Sequence, residues 1–221
     1  MKEIIITYIL SYIIIIISAS IYTLLGYNDL TFFINNHCIY IVIIYYILTT
    51  IYLYKQNKIT ENNIPIKLYY PLISLGISIA IIYNMIIFKI NPPTTTSTLP
   101  LVINIISSGV IGPIFEEILF RYVFYNRLKK KNSLKKSIII NSLVFALIHI
   151  HPIKIIYAFI LGIILNITYE KYKNIKAPIL IHIFANIIAI FLTEYNLIVL
   201  LLAVINLIIT ILIIRKNKSF N

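Results

Sequence analysis

Long apolar segments recur along the entire chain and constrain its fold more than any other feature. A helix that crosses a bilayer needs about 20 consecutive, mostly apolar residues, and segments of this kind follow one another from the N-terminus to the C-terminus. Hydrophobic residues make up 60% of the 221 residues, whereas the apolar share of a typical soluble domain is roughly 45–50%. The pattern therefore predicts an all-α, polytopic integral membrane protein.

Eight transmembrane helices are predicted, of which the fifth to the seventh are short and interrupted by polar residues. They cover residues 4–26, 32–54, 68–88, 100–125, 137–151, 155–169, 178–193 and 196–214. The Pro- and Thr-rich loop 91–98 cannot begin as a helix. It divides residues 1–99, which carry no motif, from residues 100–221, which hold nearly all the polar residues of the spans. We expect the two parts to form one membrane domain, with the second as its catalytic core.

The positions of the basic residues orient these helices. With the N-terminus in the cytosol, sixteen of the nineteen Lys and Arg residues fall on the cytosolic side, Lys89 and Lys154 fall outside, and Arg121 lies within a span. Cytosolic loops are enriched in Lys and Arg, so both termini are expected in the cytosol. The net charge of +12 is accounted for by these loops and does not indicate a nucleic-acid partner. Cys38 is the one cysteine, so the chain has no internal disulfide.

Three charged residues interrupt the fourth span, in the segment GPIFEEILFRYVF at residues 112–124. A charge at the bilayer centre costs about 2.5–3.5 kcal/mol, so such residues are functional candidates by default. Glu117 and Arg121 have the i, i+4 spacing of a same-face ion pair and are assigned a supporting role. Glu116 has no polar partner on its own helix and is the reactive candidate. Alternatively, the three residues have a purely structural role and hold helices together through polar contacts. Pro113 predicts a loosened turn before the acids.

Two later spans carry histidines. His149 lies near the end of the fifth span with Phe145 one turn earlier, and His182 and Asn186 lie four residues apart on the seventh span. Residues four apart share one face of a helix. A single histidine in an apolar helix is more often a packing residue than a catalyst. Two histidine-bearing helices in a chain that also has a charged helix favour a common polar site.

Together these residues resemble the CAAX-protease and bacteriocin-processing (CPBP, or Abi) intramembrane endopeptidases, which are related to the type II CAAX prenyl proteases. Glu116-Glu117 with Arg121 looks like the EExxxR motif of that family. Phe145 with His149 looks like FxxxH, and His182 with Asn186 looks like HxxxN, all in order within residues 112–186. Tyr122 departs from the pattern, because the family commonly has a small residue after the arginine.

The resemblance implies catalysis of peptide hydrolysis. Glu116 with His149 would polarise a water molecule, with Glu116 as the general base, and His182 and Asn186 would bind the oxyanion. Glu117, Arg121 and Phe145 would support these groups. Glu116, His149 and His182 could instead ligate Zn²⁺ with an open position. There is no HExxH sequence, and a glutamate that binds metal cannot also serve freely as the base. Both a metal-assisted and a metal-free mechanism therefore remain open.

The predicted function is thus intramembrane endopeptidase activity on a membrane-associated peptide or protein in the cell membrane. At 1.5 Å per residue, Glu116 lies about 15 Å, His182 about 6 Å and His149 about 20 Å from the cytosolic ends of their helices. These depths overlap loosely, and an active site open to the cytosol is expected. Two alternatives remain, an inactive immunity or scaffold protein and a proton- or cation-coupled transporter. A single aspartate, Asp29, excludes an aspartyl dyad, and Gly76-Ile77-Ser78 is only superficially similar to a rhomboid serine motif.

Overall fold

The computed structural model describes residues 2–27, 29–90, 99–149 and 152–216. This part of the chain is helical and contains no β-strand, which confirms the all-α prediction. The predicted loop 91–98 lies outside the described residues. The helices are α1 Lys2–Leu24, α2 Leu30–Asn36, α3 Cys38–Gln56, α4 Tyr69–Ile90, α5 Leu101–Lys129, α6 Leu134–Leu147, α7 Pro152–Tyr172, α8 Lys176–Phe191 and α9 Leu197–Lys216.

Each of the eight predicted spans corresponds to a helix or a pair of helices. Six segments in the described residues are long and apolar enough to cross a membrane, so the chain is a polytopic membrane protein. α6 and α8 are shorter, with 14 and 16 residues, as predicted. The sixth predicted span is not short, because α7 has 21 residues and continues through Glu170 and Lys171. The second span breaks at His37, and Asp29 caps α2 by accepting a hydrogen bond from the Phe32 N–H at 2.8 Å.

The long helix α5 contains two stretches of wider π-helical winding. They cover Ile105–Ile111 and Ile118–Tyr125, on either side of the ordinary helical turn Gly112–Glu117 that carries both acids. The Gly112 N–H bonds to the Ser107 carbonyl, five residues earlier. Pro113 has no N–H to donate, so the predicted loosening before the acids is observed. Such π-segments are frequent at functional sites.

Helix α5 lies at the centre of the packing. α8 packs against α4 and the first half of α5, α4 also packs against α9, and α6 packs against α7. Gly76 permits the closest approach between α4 and α8, because a Cβ at this position would lie 2.1 Å from the Ile181 carbonyl oxygen. Ser78 donates a hydrogen bond to the Ser74 carbonyl and accepts one from Asn206 on α9. The Gly76-Ile77-Ser78 segment is therefore part of these helix contacts.

Candidate functional site

A buried polar cluster joins α5 to α8. The Glu117 Oε1 atom accepts a hydrogen bond from Arg121 Nη1 at 2.8 Å, which confirms the predicted ion pair. The same oxygen lies 2.8 Å from His182 Nδ1, a contact that the sequence did not predict. The three side chains are at most 3% exposed. Because an ionised carboxylate only accepts hydrogen bonds, this contact places a proton on Nδ1 and leaves Nε2 as the free ring nitrogen.

Glu116 lies beside this cluster and faces open space. Its Oε2 atom is 3.7 Å from His182 Nε2, and 21% of its side chain is exposed. Glu116 and Glu117 therefore approach the two different nitrogens of one imidazole ring. The predicted meeting of Glu116 with a histidine of a later span is observed, although Glu116 is only partly buried. Partial exposure allows water to reach this carboxylate, while Glu117 is sealed from it.

Phe145 is the packing centre of the site. Its buried ring contacts His149 and His182 edge-on, with ring centroids 5.0 and 5.8 Å apart. The guanidinium of Arg121 lies over the same ring, 4.2 Å from its centroid. A cation over an aromatic face is stabilised electrostatically, and more so when it is desolvated. Phe145 therefore holds both histidines and the buried arginine in place.

His149 and Asn186 are each held by a backbone carbonyl. His149 lies in the turn after α6, and its Nδ1 is 2.9 Å from the Phe145 carbonyl oxygen. A carbonyl accepts only, so Nδ1 is the donor and Nε2 is left as an acceptor in the neutral ring. The Asn186 Nδ2 atom donates to the Ser108 carbonyl at 2.9 Å, within the first π-helical stretch of α5. This bond fastens α8 to α5 and leaves one N–H of the amide for another acceptor.

One cavity of about 690 Å³ brings the predicted catalytic residues together. It is lined by Glu116, His149, His182 and Asn186, and also by Phe145. Its other lining residues are Tyr83, Asn84, Phe88, Asn104, Ser108, Lys154, Tyr157, Ala158, Leu161, Ala189, Ile190, Leu192 and Thr193. Tyr83, Asn84 and Phe88 belong to α4, so the motif-free part of the chain also contributes to the site, and the predicted boundary near residue 100 stays a prediction.

Part of the cavity lining lies near one end of the helix bundle. Four of its lining residues, Phe88, Asn104, Lys154 and Thr193, lie close to the ends of α4, α5, α7 and α8 that face away from the basic loops. We call these four residues the rim. Access to the site from the cytosol stays a prediction.

A metal ion held by Glu116, His149 and His182 stays a prediction. In the described part of the chain, no group of three or more His, Cys, Asp or Glu side chains is arranged to hold a metal ion. The Nδ1 atoms of His182 and His149 are bonded to Glu117 and to the Phe145 carbonyl, and a histidine that binds a metal through one ring nitrogen usually donates its other N–H to such an acceptor. The predicted set Glu116, His149 and His182 thus lines one cavity without forming a ligand cluster.

Several site residues were missed by sequence reasoning. Tyr83 and Tyr157 stack with ring centroids 4.0 Å apart and form one wall of the cavity. Ser108, Asn84, Asn104 and Lys154 line it as well. Tyrosines, serines and asparagines occur throughout the chain, and no spacing singled these out. Only the packing of α4 and α7 beside α5 brings them to the site.

Comparisons with known proteins agree with the motifs. Residues 98–188 match the protein family described as type II CAAX prenyl endopeptidase Rce1-like. The chain is 30% identical over 82 residues to the putative membrane peptidase YdiL of Bacillus subtilis (strain 168), covering 37% of this chain and 34% of that protein. It is 30% identical over 148 residues to the membrane-embedded CAAX protease MroQ of Staphylococcus aureus (strain USA300), covering 57% and 59%. The chain thus matches about a third to three fifths of these relatives' lengths, and no solved structure matches. The predicted resemblance is confirmed over the region that holds all three motifs.

Proposed function

We propose that this chain, whose residues 98–188 are similar to type II CAAX prenyl endopeptidases, is an endopeptidase that cleaves a membrane-associated peptide. The observation that carries the proposal is the pair of carboxylates on the two nitrogens of His182. Glu117 is bonded to Nδ1 at 2.8 Å, and Glu116 faces Nε2 at 3.7 Å from within the cavity. One carboxylate is thereby held as a structural counter-charge, and the other is left accessible to water and substrate.

Glu116 is the proposed general base. Its carboxylate would remove a proton from a water molecule in the cavity while the water oxygen bonds to the scissile carbonyl carbon. The carbon–nitrogen bond then breaks, and the proton passes from Glu116 to the departing amine nitrogen. His149 would help to orient the water, because its Nδ1 is bonded to the Phe145 carbonyl and its Nε2 can accept a hydrogen bond. This scheme uses only groups of the protein and one water molecule.

His182 is proposed to stabilise the oxyanion in its protonated form. With Nδ1 bonded to Glu117, the ring can donate from Nε2 only if it carries a second proton. The remaining amide N–H of Asn186 would be a second donor.

The experiment that tests the proposal is cleavage of reporter peptides by purified protein. Glu116→Gln keeps the shape of the side chain and removes the base, so turnover should fall about 100- to 10,000-fold. Glu61→Gln is the matched control, because Glu61 accepts the Ile175 N–H at 2.7 Å outside the cavity and a glutamine can keep that bond. Wild-type turnover in Glu116→Gln would refute the proposal. Proton flux that is lost in the same variant, without any peptide cleavage, would favour a transporter.

A further inference from the structure

The rim of the cavity lies at one end of the helix bundle. Phe88 is near the end of α4, Asn104 and Lys154 are near the starts of α5 and α7, and Thr193 follows the end of α8. Successive membrane helices alternate in direction, so these four helix ends belong to the same side of the bundle. The cavity therefore reaches from the catalytic residues toward that side.

The other end of the site is closed by packed side chains. Every residue of the stretch Ile118–Tyr125 is buried, including the fully buried Arg121 and Tyr125. At the end of this buried stretch that is nearer the basic loops, the Tyr125 hydroxyl donates to Glu170 at 2.9 Å, and Lys129 pairs with the same carboxylate at 2.7 Å. Among the described residues, none from the basic loops lines the cavity. A substrate thus has no path to Glu116 from this end without disrupting the core.

The charges assign a side of the membrane to each end. The rim end carries Lys89 and Lys154. The closed end carries the basic residues of four separate segments, which are Lys55, Lys58, Lys67, Arg127, Lys129, Lys130, Lys131, Lys135, Lys136, Lys171, Lys173, Lys176, Arg215 and Lys216. Short loops rich in Lys and Arg remain in the cytosol during insertion. The closed end is therefore cytosolic, and the rim faces the opposite side.

We propose that the cavity receives its substrate from the extracytoplasmic side. This inference rests on the proposed function and replaces the predicted cytosolic entry. The substrate class is an extended segment of an exported or membrane-anchored protein that lies at the outer surface. The stacked rings of Tyr83 and Tyr157 provide an apolar wall for side chains, and the amides of Asn84 and Asn104 can bond a peptide backbone. Tails that stay in the cytosol do not reach this site.

Cysteine labelling tests the sidedness without depending on activity. The full chain with Cys38→Ser is expressed in a bacterial host, and single cysteines are placed at exposed positions, Lys154→Cys on the rim and Lys135→Cys on a basic loop. A membrane-impermeant maleimide added to intact spheroplasts should label the rim variant at least 10-fold more than the loop variant. The loop variant should react only after permeabilisation. Thr193→Cys, a second exposed rim position, replaces Lys154→Cys if that variant does not accumulate.

The labelled proteins then separate the inference from the proposed function. With a reporter peptide outside sealed spheroplasts, labelling of the rim cysteine should reduce cleavage at least 10-fold. Labelling of the loop cysteine after permeabilisation should leave cleavage unchanged. Labelling of Lys135→Cys in intact spheroplasts, or cleavage of only cytosolic reporters, would overturn the inference and leave the protease intact. The expected labelling with no cleavage of any reporter would support the sidedness and refute the proposed function.

Discussion

Substitution of Gly76 by alanine should disturb the site from outside it. Gly76 lies on α4 and does not line the cavity. A Cβ at this position would be 2.1 Å from the Ile181 carbonyl oxygen and 2.9 Å from its carbonyl carbon. Real contacts of this kind are essentially never below 3.0 Å, and the obstacle is backbone, which cannot rotate away. The helices α4 and α8 must therefore separate by about 1 Å.

The backbone that must move belongs to Ile181, the residue before His182. The bond between His182 Nδ1 and Glu117 Oε1 is 2.8 Å long, and a shift of about 1 Å would stretch it beyond hydrogen-bonding distance. A misplacement of this size can cost about 100-fold in rate, and overpacking of a core typically costs about 1–3 kcal/mol of stability. We therefore expect Gly76→Ala to lower turnover about 100-fold and to lower the melting temperature in detergent.

The measurements are peptide cleavage and thermal unfolding of purified protein. Gly109→Ala is the matched control, because its Cβ would meet the side-chain atom Cγ1 of Ile187 at 3.0 Å, so that a shift of a few tenths of an ångström in a side chain accommodates it. This control should retain turnover within a few-fold of wild type. If Gly76→Ala has the wild-type rate and melting temperature, then close contact of α4 with α8 does not position His182, and the reasoning is wrong.

Further predictions concern the charged cluster and the metal. Glu116→Gln should keep the melting temperature within a few degrees of wild type. Glu117→Gln should lower it strongly, because loss of one partner of a buried ion pair costs about 3–5 kcal/mol. Equal melting temperatures of the two variants would contradict the assigned roles. Arg121→Lys should lower the melting temperature in the same assay, because a lysine cannot reproduce the planar stacking of the guanidinium on Phe145. An unchanged melting temperature would show that this stacking is dispensable. Cleavage should stay within two-fold after prolonged EDTA treatment, and a loss that Zn²⁺ restores would establish the metal-assisted mechanism.

Local sequence determined the helices and the polar residues they carry. Apolar length alone located every described span, because a bilayer requires about 20 apolar residues per helix. The Glu117–Arg121 pair was predictable as well, since i, i+4 neighbours meet on any helix. The break at His37 and the π-helical winding of α5 had weaker signals, of which Pro113 was one. These features depend on a few residues, whereas most residues around them favour a regular helix.

Only the tertiary structure determines which side chains of the site contact one another. His182 is 65 residues from Glu117 in the chain, and nothing in either segment indicates which carboxylate meets which ring nitrogen. Phe145 contacts both histidines and Arg121 because α6 ends beside α5. The shape of the cavity depends on how side chains of at least four helices fill the space between them. Helix periodicity specifies which residues share a face, but packing between helices determines which faces enclose water.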